Sequence, residues 1–161
     1  MKAFNRYSLG IALLLIFFGT DLYSQGVTHV IKLTVNTEEL SQDDPAAAST
    51  FSVADEAVTI VEVSEPAKDF TILVKPEDFV EWEGFTTAGE AIDIEMIEFR
   101  RGGNSKNIFS KAKKEGEKKN GAKKKVKEKV KKNASKKEYS YAIQFMVDGE
   151  MYQFDPKIRV E

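Results

Sequence analysis

Short runs of alternating apolar and polar residues divide this chain, and a period of two is typical of β-strands rather than of helices. In the first run, the odd-numbered residues from Val27 to Val35 share one face. Candidate strands cover residues 27–35, 51–53, 57–63, 70–75, 79–82, 91–99, 139–147, 150–154 and 157–161. If roughly seven or eight of these runs form short strands joined by polar turns, the sequence predicts an all-β fold, an antiparallel β-sandwich.

The end of the chain carries the strongest local signal. Asp148 and Gly149 separate two strand-like runs, and this pair favours a two-residue type I′ hairpin. Such a turn fixes the register, so that apolar side chains face apolar ones and amide faces amide. The expected pairs are Met146 with Met151, Phe145 with Tyr152, Gln144 with Gln153 and Ile143 with Phe154.

The run from 91 to 99 alternates in the same way. It places Ile92, Ile94 and Met96 on one face, whereas Asp93 and Glu95 point away. We therefore expect these three apolar side chains to share one face of a strand.

Composition limits how such a sheet can be stabilised. The chain has 161 residues, of which 42% are apolar and 31% charged, so most of it is expected to fold. It contains no cysteine and a single histidine, which excludes disulfides, thiolate metal sites, thiol nucleophiles and histidine-rich metal cages. The fold therefore depends on its hydrophobic core, and we expect no cofactor.

The N-terminus has the three parts of a secretory signal peptide. Lys2 and Arg6 supply positive charge, residues 11–18 are apolar, and Ser24 precedes a candidate cleavage point. The apolar run is too short for a transmembrane helix, which needs about 20 residues. We expect a removed signal peptide over 1–24, export to the periplasm or the extracellular space without an integral membrane span, and one β-sandwich domain over 25–161.

Charge is strongly segregated along the chain. The segment 111–137, the lysine tract, contains fourteen lysines and three acidic residues for a net charge of +11, whereas the rest of the chain after residue 24 carries −14. Val126 and Val130 are its only apolar side chains larger than alanine. Because lysines repel one another, we expect residues 105–137 to form a flexible, disordered insertion. Removal of residues 111–137 is expected to leave the sandwich folded.

Three interpretations of the lysine tract stay open. It is a solvated loop without a partner, or it folds back on the acidic body of its own or a neighbouring chain. In the third, it binds nucleic acid, anionic polysaccharide or lipid headgroups through counterion release. The tract contains neither arginine nor aromatic residues, which argues against base-specific recognition. The lysines proposed to contact an anionic surface are Lys113, Lys114, Lys118, Lys119, Lys123, Lys124, Lys125, Lys127, Lys129, Lys131 and Lys132.

Two places offer side chains of metal-binding type. His29 lies on the apolar face of the first strand, which is more typical of a structural histidine, since a metal site needs several converging donors. Glu38, Glu39, Asp43 and Asp44 offer oxygen donors for Ca²⁺, but the spacing of a calcium-binding loop is absent. A solvated acidic loop is the simpler interpretation, and no metal site is expected.

One aromatic pair offers a second kind of candidate site. Trp82 and Phe85 flank a Glu-Gly pair, and together they would form an exposed aromatic patch for sugar or protein binding. The ordinary alternative is a tryptophan in the core.

Two stretches resemble known β-sandwich proteins. Residues 70–82, FTILVKPEDFVEW, resemble the cupredoxin pattern of a strand, a turn and a Val-x-Trp strand, and residues 152–160, YQFDPKIRV, are similar to the closing strand of small exported β-sandwich proteins. The resemblance implies a cupredoxin-like or immunoglobulin-like sandwich. It does not imply copper, because cupredoxin ligands are two histidines, a cysteine and usually a methionine.

The sequence thus predicts an exported, non-catalytic protein with a binding or structural role. Motifs for a nucleophilic serine, a phosphate-binding loop and a zinc protease are absent. Acidic residues are plentiful, so the alternative is a small extracytoplasmic carbohydrate-active enzyme that uses paired carboxylates.

Overall fold

The computed structural model describes residues 26–99, 107–118 and 121–161. Within them the chain forms strands and one short 3₁₀ turn at Ala67–Asp69, so the all-β prediction is confirmed. The strands are β1 (Thr28–Val35), β2 (Ser49–Val53), β3 (Ile60–Val63), β4 (Thr71–Val74), β5 (Phe79–Thr86), β6 (Ala91–Phe99), β7 (Lys113–Glu115), β8 (Val126–Lys129), β9 (Glu138–Val147), β10 (Glu150–Phe154) and β11 (Lys157–Val160).

The strands join into one nearly closed sheet. Its order is β2-β1-β5-β6-β9-β11-β4-β3, with β10 beside β9, β7 beside β6 and β8 beside β5. Two pairs, β1 with β5 and β11 with β4, run parallel. The predicted antiparallel sandwich is therefore not confirmed. Alternation assigns a side chain to a face of the sheet but does not give the direction of the neighbouring strand.

The C-terminal hairpin has the predicted register. Met151 lies opposite Met146 and Phe154 opposite Ile143, with the two intermediate pairs also as expected. Asp148 and Gly149 have φ values of 50° and 85°, the left-handed conformation that a type I′ turn requires at both positions. Local turn chemistry is thus sufficient to set this part of the sheet.

Burial along β1 follows the predicted alternation, but burial along β6 changes phase. The register of β6 against β9 shifts between Ile94 and Met96, as in a β-bulge. Ile92 and Ile94 share the buried face of the strand, but beyond the shift Ile97 and Phe99 enter the core in place of Met96. The prediction that Met96 shares a face with Ile92 and Ile94 was therefore wrong, because a period-two pattern does not reveal an inserted residue.

Aromatic side chains fill the core between the two ends of the sheet. Trp82 contacts Tyr141 and Phe109 edge to face, at ring-centroid distances of 5.4 and 5.8 Å. Phe51 of β2 stacks on Phe70, next to β4, at 4.7 Å. Because β2 and β3 are the terminal strands of the sheet order, this second contact helps to hold the open sides of the sheet together.

The lysine tract contributes two strands to this sheet. In its described parts β7 pairs with β6 and β8 pairs with β5, so the predicted disordered insertion is not confirmed. Val126 and Val130 are fully buried in the core. Gly116 is required next to β6, because a Cβ atom there would overlap the carbonyl oxygen of Ile94. Strand pairing, the burial of two valines and the close approach at Gly116 therefore hold the tract against the sheet.

Part of the domain prediction concerns residues outside the described ranges. The expected signal peptide, 1–24, is among them, and export stays a prediction. In the described ranges, the structure has no helix with the length and apolar character needed to cross a membrane.

We predict that Val126→Ala lowers the free energy of unfolding by about 2 kcal/mol, because it removes buried methyl groups and leaves a cavity. Urea denaturation followed by circular dichroism measures the change. Removal of 111–137 is expected to abolish the cooperative transition, contrary to the sequence-based expectation.

Lys132→Ala serves as the control in the same tract. Lys132 is exposed, so its loss is expected to change the free energy of unfolding by less than about 0.5 kcal/mol. Equal stability of Val126→Ala and the unsubstituted protein would show that β8 does not contribute to the core.

Candidate functional site

Strand β8 places the lysine tract along an acidic strand. It runs antiparallel to β5, with Lys127 opposite Glu81 and Lys129 opposite Phe79. Because β5 buries Val80 and Trp82, its acidic side chains point outward next to the outward lysines of β8. Period-two alternation on both strands therefore brings the two charge types together on one surface.

Seven lysines of the tract each pair with a separate carboxylate on this surface, which we call the ion-paired face. Lys124 with Glu95 is one of these pairs. The others are Lys113–Glu98 at 3.1 Å, Lys114–Glu117 at 2.6 Å, Lys123–Asp93 at 3.7 Å, Lys125–Glu83 at 2.6 Å, Lys127–Glu81 at 3.4 Å and Lys129–Glu77 at 2.7 Å.

The remaining predicted contact lysines have other environments. Lys131 donates to the carbonyl oxygen of Asn107 at 3.1 Å. Lys118 and Lys132 are exposed and form no ion pair within the described residues, and Lys119 lies outside them. The structure thus shows the tract folded back on the acidic body of its own chain. Binding to an anionic surface through these lysines stays a prediction.

Hydrogen bonding to carboxylates raises the pKa of three lysines above the usual value of 10.5. The partner is Glu117 for Lys114, Glu95 for Lys124 and Asp69 for Lys157. The carboxylate stabilises the protonated ammonium in each case, and desolvation opposes this effect. These lysines therefore keep their charge at every ordinary pH.

The predicted aromatic patch is not on the surface. Trp82 is 0% exposed and packs in the core, whereas Phe85 is half-buried on the outer side of β5. Alternate residues of a strand point to opposite faces, and positions 82 and 85 are three apart, so the two rings cannot share a face. The patch prediction was wrong, and the core alternative describes Trp82.

The structure reveals a second polar cluster that the sequence did not indicate. His29 is buried, and its Nε2 lies 3.1 Å from Asp78 Oδ2 while its Nδ1 lies 3.1 Å from Thr59 Oγ1. Asp78 also accepts the backbone N–H of Val27 at 3.0 Å and that of Lys75 at 2.8 Å. The cluster ties β1 to the segments that precede β3 and β5.

A hydroxyl, an imidazole and a carboxylate in sequence could in principle activate a nucleophile. Here Thr59 is buried and does not line the neighbouring cleft. A neutral imidazole satisfies both contacts by donating from Nε2 to Asp78 and accepting from Thr59 at Nδ1. The cluster therefore acts as a structural clamp, in agreement with the predicted structural role of His29.

A cleft of about 170 Å³ opens at this clamp, and we call it the seam cleft because it lies where β3 faces the start of β1. Five apolar residues line it together with both clamp residues and two surface charges: Val27, Val58, Ile60, Leu73, Val74, His29, Asp78, Lys75 and Glu161. Val27 is 46% exposed, Val58 36% and Ile60 60%. One feature of the sequence points to this cleft, because residues 57–63 contain more apolar side chains than a half-buried strand needs.

The acidic residues considered as calcium donors are not gathered into a site in the described part of the chain. Asp43 and Glu39 are exposed, and Asp44 lies in a loop where its backbone N–H donates to Ser41 Oγ at 3.4 Å. Across the described ranges, no three His, Asp or Glu side chains are placed to share a metal ion. The loop has the solvated geometry that the sequence favoured.

We predict that Asp78→Ala lowers the free energy of unfolding by about 3 kcal/mol, because two backbone N–H groups and His29 lose a charged, buried acceptor. Thermal and urea unfolding measure the loss. Asp78→Asn keeps one acceptor oxygen, so its free energy of unfolding is expected to lie between those of Asp78→Ala and the unsubstituted protein. The control is Asp43→Ala in the exposed loop, and an equal effect of both alanine variants would contradict the clamp.

Alkaline pH is expected to destabilise the protein. In the unfolded chain lysines lose their protons near 10.5 and Tyr141 near 10.0, whereas ion pairing and, for Tyr141, burial raise these pKa values in the fold. The folded state then binds more protons, so stability is complete below pH 10.0 and falls as the pH rises past it.

The urea concentration at the midpoint of unfolding, measured below and above pH 10.5, tests this predicted loss of stability. Tyr141→Phe removes the tyrosine contribution, and Lys124→Arg keeps a charge that does not titrate. Both variants are expected to lose less stability than the unsubstituted protein, and a midpoint independent of pH would refute the assignment.

Comparison with known proteins supports the fold and corrects the family resemblance. No protein-family model matches the sequence, and no curated protein matches it. A solved structure of an inclusion body protein, PixA, from Burkholderia cenocepacia is similar with a TM-score of 0.62, covering 88% of this chain and 99% of that chain at 10% sequence identity. The cupredoxin resemblance was therefore wrong, and at this identity the likeness is one of fold alone.

Proposed function

We propose that this chain is a non-catalytic structural protein that associates with further copies of itself through the seam cleft. The observation that carries the proposal is the distribution of exposed apolar side chains. In the described ranges, five large hydrophobic residues are exposed; three of them line the seam cleft, and Val63 lies on β3 beside it. A concentrated apolar surface of this kind is typical of a protein contact.

The cleft favours side-chain contacts over the addition of a strand. Strand β3 ends the sheet order, but it has only four residues, a register irregularity between Val61 and Val63, and an acidic side chain, Glu62, paired with Arg159 at 3.1 Å. Short, bulged and charged edges resist pairing with another strand. The protruding Ile60 side chain is therefore the better anchor.

A second copy is the partner that the surface fits. About 170 Å³ can receive one aliphatic side chain, and Ile60 protrudes at the rim of the same cleft. In a two-fold pair, Ile60 of each copy would enter the cleft of the other. Lys75 and Glu161 lie 3.3 Å apart on the rim, so opposite charges balance and two identical surfaces do not repel.

The fold neighbour supports this role. It is an inclusion body protein, and a protein in such a body has to contact other chains through its surface. The enzyme alternative, which uses paired carboxylates, receives less support, because the carboxylates of the ion-paired face each accept a lysine. Export is compatible with this role and independent of it.

Sedimentation velocity over a wide concentration range tests the proposal. The unsubstituted protein is expected to shift from monomer to larger species as its concentration rises. Ile60→Thr keeps a β-branched side chain on the strand but removes apolar surface, and it is expected to weaken association about tenfold, the loss from one well-buried aliphatic contact.

The matched control is Met151→Thr, at the one exposed large hydrophobic residue of the described chain that lies away from the seam cleft on β10. It is expected to associate like the unsubstituted protein. A monomer at all concentrations, or equal weakening by both substitutions, would overturn the proposal.

A further inference from the structure

The geometry of the ion-paired face points to a binding site for a small, multiply charged anion, such as a diphosphate group. A second cleft, of about 230 Å³, opens on this face, and we call it the lysine cleft. Four ammonium-bearing side chains line it together with two carboxylates and an alanine. The lining residues are Lys114, Lys123, Lys125, Lys127, Glu81, Glu117 and Ala122.

The charge of the lysine cleft favours an anion. Its lining has two more ammonium groups than carboxylates, whereas across the ion-paired face each of the seven lysines has a carboxylate partner. The excess arises because Asp93 and Glu83, the partners of Lys123 and Lys125, do not line the cleft. An excess of one charge sign on a concave surface concentrates counter-ions.

The lysines retain donors for a ligand. Each ammonium has three N–H groups. Lys125 donates one to Glu83 at 2.6 Å, Lys114 one to Glu117 at 2.6 Å, and Lys127 one to Thr28 Oγ1 at 3.2 Å. Lys123 lies 3.7 Å from its carboxylate, beyond hydrogen-bond distance. It is therefore the lysine most available to a bound anion.

Backbone contacts build the cleft, so it does not depend on flexible lysine chains alone. The N–H of Glu117 donates to the carbonyl of Lys125 at 2.8 Å, and the N–H of Lys125 returns a bond to Glu117 at 3.2 Å. Burial of Val126 directs its two neighbours, Lys125 and Lys127, outward. Backbone hydrogen bonds thus hold the charge-bearing positions on both sides of the cleft in place.

Cleft size selects the class of ligand. Clefts for drug-sized molecules occupy roughly 300–1,000 Å³, so about 230 Å³ suits one or two tetrahedral anionic groups. This site differs from the polymer binding expected for the lysine tract as a whole, because it involves four lysines at one place. It also lies apart from the seam cleft and does not depend on self-association.

Isothermal titration of the full chain with pyrophosphate at low salt tests the inference. We expect one site per chain. Lys123→Gln is expected to weaken binding about tenfold, the loss of one charge-assisted contact, and to leave the fold intact because Asp93 still accepts the N–H of Lys124. Glu81→Gln removes a competing carboxylate from the lining and is expected to strengthen binding, which loss of structure would not do.

The control is the double variant Lys136→Gln and Lys137→Gln, which removes two exposed lysines of the same tract from outside the cleft. It is expected to bind pyrophosphate within about twofold of the unsubstituted protein, as is Ile60→Thr. Absence of binding would overturn the inference. An equal loss in the control, several sites per chain, or no gain in Glu81→Gln would do so as well, since each indicates diffuse attraction to lysines.

Discussion

The pairing of β8 with β5 is the contact that the rest of the outer surface depends on. Val126 and Val130 are fully buried there, and burial of one such side chain is worth about 1.5–3 kcal/mol. Exposed ion pairs contribute about 0.2–1 kcal/mol each. The two valines therefore hold the strand in place, while the acidic face of β5 and β6 removes the repulsion that would otherwise extend the tract.

Contacts between buried side chains also stabilise the opposite side of the sheet. The chain has no cysteine to close the open sides, and the described structure uses a buried imidazole and carboxylate there together with the Phe51–Phe70 stack. The Asp78 carboxylate has three hydrogen-bond partners, Val27, His29 and Lys75, and these bonds offset the cost of burying its charge. Beside this clamp the seam cleft keeps its aliphatic side chains in contact with water, which leaves apolar surface available to a partner.

Local sequence predicted the parts of the fold that local chemistry controls. The register of the last hairpin followed from Asp148 and Gly149, and the buried face of β1 followed from its alternation. Neither depends on distant residues. The phase change at Met96 depends on neighbours from other strands, and the sequence interpretation failed there. For Trp82 the sequence left a surface patch and a core position open, and the tertiary structure decided for the core. The sequence analysis did not anticipate the seam cleft or the lysine cleft, since each combines segments that are far apart in the chain.

By itself, the sequence determined that this chain is all-β, that it has no thiol or disulfide chemistry, and that its positive charge is concentrated in one segment. Only the tertiary structure decided which groups the lysine side chains contact. Composition gives the number of lysines and implies that they repel one another, but it does not show that seven of them each pair with a carboxylate. Strand direction and sheet closure were decided in the same way, because they arise from long-range pairing, whereas a residue pattern records only which face of a strand is buried.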